Sequence, residues 1–129
     1  MQQRSKAKIT YPGHYTNTCC SHPIANVSGE EDENNAIGIK KAAVRRLNYE
    51  LGIPISSLPL ENFQYITRIK YQDLGDGVWG EHEIDYILFL QEDVEVRPNP
   101  NEVLSISFVP KAEFDSYLRT LDGPMTPWF

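Results

Sequence analysis

A nearly unbroken run of apolar side chains from Ile84 to Leu90 sets the strictest limit on how this chain can fold. Such a run is typical of a β-strand that other elements cover on both faces. The strand is predicted to begin at Glu81, after a Gly-Asp-Gly turn at residues 75–77. A β-rich, alternating segment at residues 65–71 precedes the turn, so the sequence predicts two strands separated by a turn.

Two helices and a further strand complete the predicted pattern. The first helix is capped by Asn34 or Asn35 and ends at Gly52. Its apolar positions are Ile39, Ala43, Leu47 and Leu51. A strand at residues 104–109 follows, and then a helix that starts at Pro110. The apolar positions of this second helix are Ala112, Phe114, Tyr117, Leu118 and Leu121. This order predicts a mixed α/β (α+β) domain with helices packed on a sheet.

The composition is that of one globular domain spanning residues 1–129. A net charge of −6 argues against general nucleic-acid binding, which usually needs a basic face. No apolar run approaches the roughly 20 residues that cross a bilayer, and the N-terminus lacks the apolar core of a secretory signal. Cys19 and Cys20 are adjacent and too close to bridge each other, which favours a reducing, intracellular compartment. The polar stretch at residues 26–33 is predicted to be a solvated loop.

Three carboxylates lie at the start of the long strand. Because side chains alternate along a strand, Glu81, Glu83 and Asp85 share one face, while His82 and Ile84 take the other. Neighbouring carboxylates repel unless a cation lies between them or one of them is protonated. A carboxylate-lined site and a solvent-facing acidic edge both explain the pattern, and the residues alone leave both interpretations open.

The segment 16–23 and the C-terminus each allow two interpretations. Cys20 lies two residues before His22, a spacing that suits an acid/base or metal-linked cysteine. A buried structural cysteine beside the turn at Pro23 is the alternative. Trp128 can close the core, or it can present its π-face to a cationic species.

Four charged side chains are candidates for anion or metal binding. Arg46 and Glu50 are four residues apart on the first helix, which suits a surface ion pair. The same pair can instead hold phosphate oxygens and the magnesium ion that bridges them. Arg4 and Lys8 add two cations on a segment that is predicted to be extended, where even spacing points them the same way.

Taken together, these segments resemble type I isopentenyl diphosphate isomerase, a family with the Nudix fold. The matching segments are residues 8–13 (KITYPG), 16–23 (TNTCCSHP), 42–47 (AAVRRL), 50–53 (ELGI), 74–86 (LGDGVWGEHEIDY) and 126–129 (TPWF). The resemblance covers essentially the whole chain and implies a Nudix-like mixed sheet flanked by helices. Residues 45–53 then occupy the Nudix helix. Arg46 and Tyr49 stand where the hydrolase signature has glutamates, which argues against diphosphate hydrolysis.

The resemblance implies an enzyme of isoprenoid and sterol biosynthesis that interconverts isopentenyl and dimethylallyl diphosphates. The alkene gains a proton to give a tertiary carbocation, which then loses a proton from the neighbouring carbon. By resemblance, Cys20 and Glu83 are the acid/base groups, Tyr71 lies beside Glu83, and Trp128 lies over the cation.

The resemblance also implies the residues that bind the diphosphate and the metals. The diphosphate is held by Arg4, Lys8, Ser21 and Arg46. One divalent ion, Mg²⁺, Mn²⁺ or Zn²⁺, is held by His22, Glu81 and Glu83. Glu50 binds a second ion, Mg²⁺, against the diphosphate oxygens.

The sequence departs from the family pattern at both ends. In the family, two metal-binding histidines precede the equivalent of Arg4, and a helix follows the equivalent of Phe129. We therefore expect a truncated form. A catalytically impaired diphosphate-binding homologue or fragment is the alternative function, and a Nudix diphosphate hydrolase is a further one. We also expect a monomer in the cytoplasm, with the peroxisome as the alternative location.

Overall fold

The computed structural model describes all 129 residues, from Met1 to Phe129. The strands are β1 (Gln2–Arg4), β2 (Tyr15–Thr16), β3 (Gln64–Asp73), β4 (Glu81–Phe89) and β5 (Val103–Ile106). The α-helices are α1 (Ile37–Leu51) and α2 (Phe114–Leu118). Short 3-10 turns lie at Asn34–Ala36, Ile55–Ser57, Leu60–Asn62 and Lys111–Glu113. The predicted mixed α/β architecture is confirmed.

The strands form two antiparallel sheets. One has the order β2-β1-β5, and the other is the β3-β4 hairpin. Tyr71 of β3 lies directly opposite Glu83 of β4 in this hairpin. The Asp76 carboxylate organises the connecting turn, because it accepts the backbone N–H groups of residues 78 and 79 at 2.9 and 2.8 Å. Both predicted strands are therefore confirmed, with the turn between them.

The prediction that β4 is covered on both faces is wrong. Ile84 is 57% exposed, and three further apolar residues of the strand are 37% to 52% exposed, so no element packs fully over these side chains. Pairing with β3 covers one edge of β4 and neither of its faces. The predicted alternation is confirmed, since Glu81, Glu83 and Asp85 are half-buried while His82 and Ile84 are exposed. The acidic face is the sheltered one, which argues against a solvent-facing acidic edge.

Helix α1 ends as predicted but begins differently. Gly52 follows its last residue with a φ of 64°, a left-handed conformation that glycine adopts without steric cost. Neither Asn34 nor Asn35 caps α1 through its side chain, so that prediction is wrong. Both lie in the preceding 3-10 turn, and Ala36 stands before the helix. The Asp32 carboxylate stabilises this turn by accepting the backbone N–H of Asn34 at 2.9 Å.

The hydrophobic core lies along one face of α1. Its buried members are Val44, Leu47, Leu51, Ile53, Leu58, Phe63 and Val103. Leu47 and Leu51 are buried as the helical spacing predicts, whereas Ile39 and Ala43 are only half-buried. Burial of one such Leu side chain contributes about 1.5–3 kcal/mol. This packing fixes the position of α1 and therefore of its charged side chains.

The ends of the chain differ from the prediction in three ways. Strands β1 and β2 are too short for an alternating pattern to reveal them. The segment from Arg4 to Lys8 is not extended as predicted, because a turn at residues 6–7 is closed by a hydrogen bond from Lys8 N to the Ser5 carbonyl at 3.2 Å. The second helix is only five residues long, and none of them is buried.

The strand predicted at residues 104–109 begins one residue earlier, at Val103, and ends at Ile106. No helix of the structure combines the length and the apolar character that crossing a membrane requires.

Candidate active site

The hydroxyl of Tyr71 joins two carboxylates of β4. Tyr71 Oη lies 2.5 Å from Glu81 Oε2 and 3.0 Å from Glu83 Oε2, and its single proton serves both acceptors. Burial, followed by these two hydrogen bonds, raises the pKa of Tyr71 well above its ordinary value. The phenol therefore stays protonated and holds the two carboxylates together. The cross-strand pairing of Tyr71 with Glu83 explains the contact.

His22, on the segment after β2, contacts one of these carboxylates, Glu83. His22 Nε2 lies 2.9 Å from Glu83 Oε1, although the His22 side chain is 71% exposed. Asp85, the third member of the acidic face, has its pKa raised by burial and then by the Glu83 charge. Glu83 therefore contacts both Tyr71 and His22.

The two adjacent cysteines occupy different environments. Both are free, as predicted, and both border a cavity that Glu83 also lines. Cys19 packs against the hydrophobic core, whereas Cys20 lies in the field of the Asp85 and Glu83 carboxylates. Burial raises the pKa of Cys20 to about 12, and these carboxylates add to the effect. The Cys20 side chain is therefore a neutral thiol at physiological pH.

The indole of Trp128 stands at the edge of this site. Its Nε1 donates to Thr16 Oγ1 at 3.1 Å, and Thr16 is fully buried. The Tyr71 ring lies against it with centroids 5.7 Å apart, and the Arg4 guanidinium lies over it at 5.6 Å. Trp128 thus packs with neighbouring rings and meets the Arg4 guanidinium, and its predicted role over a substrate cation stays a prediction.

The cavity has a volume of about 980 Å³ and is lined mainly by hydrophobic residues. It is bounded by residues 17–23, by one side of α1 and by residues 83–90, which belong to β4 except for Leu90. Five predicted site residues meet in it: Cys20, Ser21, His22, Glu83 and Trp128. A thiol, an imidazole and a carboxylate therefore face one largely apolar space.

Two of the predicted diphosphate-binding residues lie together in an ionic network outside the lining of this cavity. Arg46 donates through Nη2 to Glu50 Oε1 at 2.5 Å and to Glu102 Oε2 at 3.1 Å. Lys8 Nζ donates to the same Glu102 oxygen at 2.6 Å. Glu50 is 3% exposed, and its second oxygen accepts a hydrogen bond from Gln2 at 3.1 Å. Both oxygens of Glu50 therefore have protein partners, and its role as a magnesium ligand stays a prediction.

Arg4 does not join this network. Its guanidinium donates to the carbonyls of Thr10, at 2.8 Å from Nη2, and Tyr11, at 3.1 Å from Nε. Arg4 thus fixes the turn that precedes β2, and this turn includes Tyr11 in a left-handed conformation with a φ of 48°. The contribution of Arg4 and Ser21 to diphosphate binding stays a prediction.

The predicted metal set is only partly assembled. An imidazole nitrogen and two carboxylates have the donor chemistry that Mg²⁺, Mn²⁺ and Zn²⁺ accept in proteins. His22 contacts Glu83 directly, and Glu81 is linked to Glu83 through the Tyr71 hydroxyl. No group of three or more His, Cys, Asp or Glu side chains, however, has the arrangement of a metal site. The residue types fit a divalent ion, and their ligand roles stay predictions.

Sequence reasoning missed an ion pair that supports the His22 segment. Glu30 accepts from Arg45 Nε at 2.5 Å and from Nη2 at 2.9 Å, and it also accepts the backbone N–H of Ile24 at 2.8 Å. Arg45 Nη2 donates in turn to the His22 carbonyl at 2.9 Å. Glu30 is only 5% exposed, so the predicted solvated loop is wrong at this residue.

Comparison of the sequence with profiles of known protein families assigns this chain to a family. The NUDIX domain profile matches residues 1–129, the whole chain. The chain belongs to the Nudix domain family. The predicted Nudix fold is thereby confirmed. Of residues 45–53, which are predicted to form the Nudix helix, α1 contains residues 45–51.

This Nudix domain is similar over its whole length to curated proteins named as isomerases. It is 53% identical over 132 residues to "Isopentenyl-diphosphate Delta-isomerase 1" of Mus musculus and covers 58% of that protein. It is 50% identical over 129 residues to "Isopentenyl-diphosphate delta-isomerase" of Phaffia rhodozyma, covering 51% of it. It is 45% identical over 134 residues to "Isopentenyl-diphosphate Delta-isomerase II" of Clarkia xantiana, covering 46% of it. The chain therefore spans about half of the length of the curated relatives it matches.

Proposed function

We propose that this Nudix domain interconverts isopentenyl and dimethylallyl diphosphates by proton addition and removal. The observation that carries the proposal is the shared cavity of Cys20 and Glu83, in which a neutral thiol and a hydrogen-bonded carboxylate face the same apolar space. The names of relatives that are 45–53% identical over the whole chain give independent support.

The reaction needs one group that gives a proton and another that takes one. Protonation of the terminal alkene carbon leaves a tertiary carbocation, and loss of a proton from the neighbouring carbon forms the new double bond. Cys20 and Glu83 are the two groups in our proposal, and either can act first, depending on the direction of the reaction. Tyr71 holds Glu83 in position through the hydrogen bond at 3.0 Å.

The surroundings suit a short-lived cation. An apolar cavity keeps out water that would trap the cation as an alcohol. The Trp128 ring offers a π-face, which attracts positive charge and supplies no nucleophile. We propose that Trp128 stabilises the intermediate in this way.

The diphosphate is held by cationic and hydroxyl groups. We propose that Lys8 and Arg46 bind its oxygens, together with Arg4 and Ser21. Guanidinium and ammonium groups form strong charge-assisted hydrogen bonds with such oxygens. These groups place the five-carbon chain so that its alkene enters the cavity.

Divalent ions complete the proposed site. His22, Glu81 and Glu83 would hold one ion, and Glu50 would hold Mg²⁺ near the diphosphate. A bound divalent ion supplies positive charge that acidifies nearby groups and neutralises diphosphate oxygens. We further propose that residues 1–129 act as one domain and one monomer, in the cytoplasm or alternatively the peroxisome.

The test follows isopentenyl diphosphate by proton NMR in deuterated buffer with Mg²⁺. We expect dimethylallyl diphosphate to appear, and Cys20→Ala to slow its formation on the order of a hundredfold or more. The matched control is Cys19→Ala, since this neighbouring thiol packs against the hydrophobic core and has no part in the proposed proton transfers.

Two outcomes would redirect the assignment. Release of phosphate in place of isomerisation would indicate a hydrolase, for which Arg46 and Tyr49 are poorly suited because they replace metal-binding glutamates. A rise in melting temperature with substrate but no turnover would indicate a domain that binds the diphosphate without catalysing the reaction.

A further inference from the structure

We propose that Glu102 is a positioning residue, which holds Lys8 and Arg46 as a preformed pair for the diphosphate. This inference rests on the proposed function, because the two cations are diphosphate ligands only under that proposal. One carboxylate oxygen, Oε2, accepts from Lys8 Nζ at 2.6 Å and from Arg46 Nη2 at 3.1 Å.

The contact is built by the fold and not by neighbouring sequence. Glu102 is separated from Lys8 by 94 positions and from Arg46 by 56. Its backbone is fixed beside β1, because the Glu102 carbonyl accepts the Ser5 N–H at 2.9 Å and its own N–H donates to the Asn99 carbonyl at 2.9 Å. A carboxylate on such a rigid support can set the position of two long, flexible side chains.

The pair keeps donors for a ligand after binding Glu102. An ammonium group has three N–H donors, and Lys8 uses one of them here. Arg46 uses Nε and Nη2, while its Nη1 makes no hydrogen bond in the structure. Both side chains are partly accessible, at 23% and 17% exposure. Free donors on two cations that share one anchor suit an oligo-anion such as diphosphate.

Electrostatics favour the charged form of Glu102. Burial alone would raise its pKa, but the hydrogen bond from Lys8 and the charges of Lys8 and Arg46 outweigh burial and lower it. The carboxylate therefore relieves the repulsion between the two cations when no ligand is bound. It also restricts their rotamers in advance, so less conformational entropy is lost when the diphosphate arrives.

This role predicts a specific kinetic signature. Loss of Glu102 leaves the acid/base groups in the cavity unchanged, so we expect KM to rise while kcat stays within about twofold. We expect Glu102→Ala to weaken binding of inorganic pyrophosphate about tenfold, because Lys8 and Arg46 would then lose their rotamer freedom on binding. Glu102→Gln keeps an acceptor oxygen, and we expect about threefold weaker binding.

The experiment measures the Kd of Mg-pyrophosphate by calorimetry, alongside KM and kcat, for the 129-residue chain and its variants. Glu95→Gln is the matched control, because Glu95 pairs with the exposed Arg97 at 2.8 Å and touches neither cation. In a Lys8→Met background, we expect the effect of Glu102→Ala on Kd to fall to less than half, because Lys8 is one of the two groups it holds.

Unchanged or tighter pyrophosphate binding by folded Glu102→Ala overturns the inference, even if its melting temperature falls. If that variant does not fold, Glu102→Gln decides in the same way. Pyrophosphate binding without isomerisation in the wild type would instead overturn the proposed function, and the Kd comparison would still test Glu102. Isomerisation with no measurable pyrophosphate binding would overturn only the inference.

Discussion

The two cysteines illustrate how the surroundings of one residue set its chemistry. Cys19 packs against the core cluster that contains Leu47, whereas Cys20, one position later, lies near the carboxylates of Asp85 and Glu83. Burial raises the pKa of both thiols, and at Cys20 these carboxylates add to the effect and keep the thiol protonated. The raised pKa keeps the proton on Cys20 until the substrate is in place, but it also makes the thiol a weaker acid and its thiolate a stronger base. Proton transfer in the proposed reaction therefore depends on the geometry of the cavity as well as on this pKa.

The raised pKa of Cys20 predicts slow alkylation. In a Cys19→Ala background, we expect iodoacetamide at about pH 8.5 to label the native chain on the order of a hundredfold or more slowly than the urea-unfolded chain, because only the thiolate reacts. The labelling rate of the unfolded thiol should level off above its ordinary pKa of 9.0, while the native rate rises further toward pH 12. Mass spectrometry gives both rates.

The raised pKa of Cys20 also fixes the direction in which the free energy of unfolding changes with pH. Between these two pKa values the unfolded thiol loses its proton first, so the contribution of Cys20 to stability falls as pH rises. The control is Cys20→Ala, which should show a smaller loss of stability over that range. Equal labelling rates for the native and unfolded chains at about pH 8.5 would contradict the assignment.

Helix α1 combines structural and functional residues on different faces. Its Leu47 and Leu51 pack in the core, while Arg46 and Glu50 join the ionic network beside β1 and β5. The helix must therefore end at a fixed position. Gly52 provides that end, and the chain then passes close to Arg97.

Substitution of Gly52 tests this end of the element. A Cβ atom at this position would lie 2.5 Å from the Arg97 carbonyl oxygen, in addition to the cost of a left-handed φ of 64°. We expect Gly52→Ala to lower the free energy of unfolding by about 2–4 kcal/mol, measured by urea denaturation.

Gly77→Ala is the matched control. Gly77 has a φ of 86°, but a Cβ atom at this position would have no neighbouring atom within 4 Å, so only the backbone cost of about 1 kcal/mol applies. An equal loss of stability in both variants would show that the close approach to Arg97 contributes nothing.

At the scale of the whole molecule, Thr16 joins the two ends of the sequence. Its Oγ1 accepts from Thr126 Oγ1 at 2.9 Å and from Trp128 Nε1 at 3.1 Å, across 110 and 112 positions. Tyr15 adds backbone hydrogen bonds to residues 124 and 126 at 2.9 Å. These contacts place the Trp128 ring beside Tyr71, and the site therefore depends on closure between distant segments.

Removal of the Thr16 hydroxyl tests this closure. Val has nearly the same shape as Thr, so Thr16→Val removes this acceptor from the buried Thr126 hydroxyl and from the half-buried Trp128 indole. The indole then keeps only a longer hydrogen bond to Asn17 Oδ1 at 3.3 Å. We expect a loss of about 1–3 kcal/mol in unfolding free energy and a lower isomerisation rate. Thr120→Val is the control, since Thr120 is exposed and its hydroxyl bonds only the nearby Tyr117 carbonyl at 2.7 Å. If Thr16→Val leaves the isomerisation rate unchanged, the reaction does not depend on this placement of the Trp128 ring as we propose.

The sequence alone determined the features that depend on local periodicity. The alternation of β4 predicted that Glu81, Glu83 and Asp85 share a face, and the helical spacing before Gly52 predicted α1 with its buried Leu residues. Recognition of the segments around Cys20 and Glu83 predicted the Nudix family. The predictions for β4 and α1 succeed because strand and helix geometry fix the direction of each side chain from its position in the chain.

The contacts between distant groups follow from the packing of separate elements. Nothing local to Glu102 indicates that it bonds Lys8 and Arg46, and the polar loop gave no sign that Glu30 is buried against Arg45. The exposure of Ile84 could not be predicted either. An apolar run shows that a strand can be buried, but it does not show which elements pack against that strand. Contacts of this kind depend on how separate elements pack together, which a periodic pattern within one element does not encode.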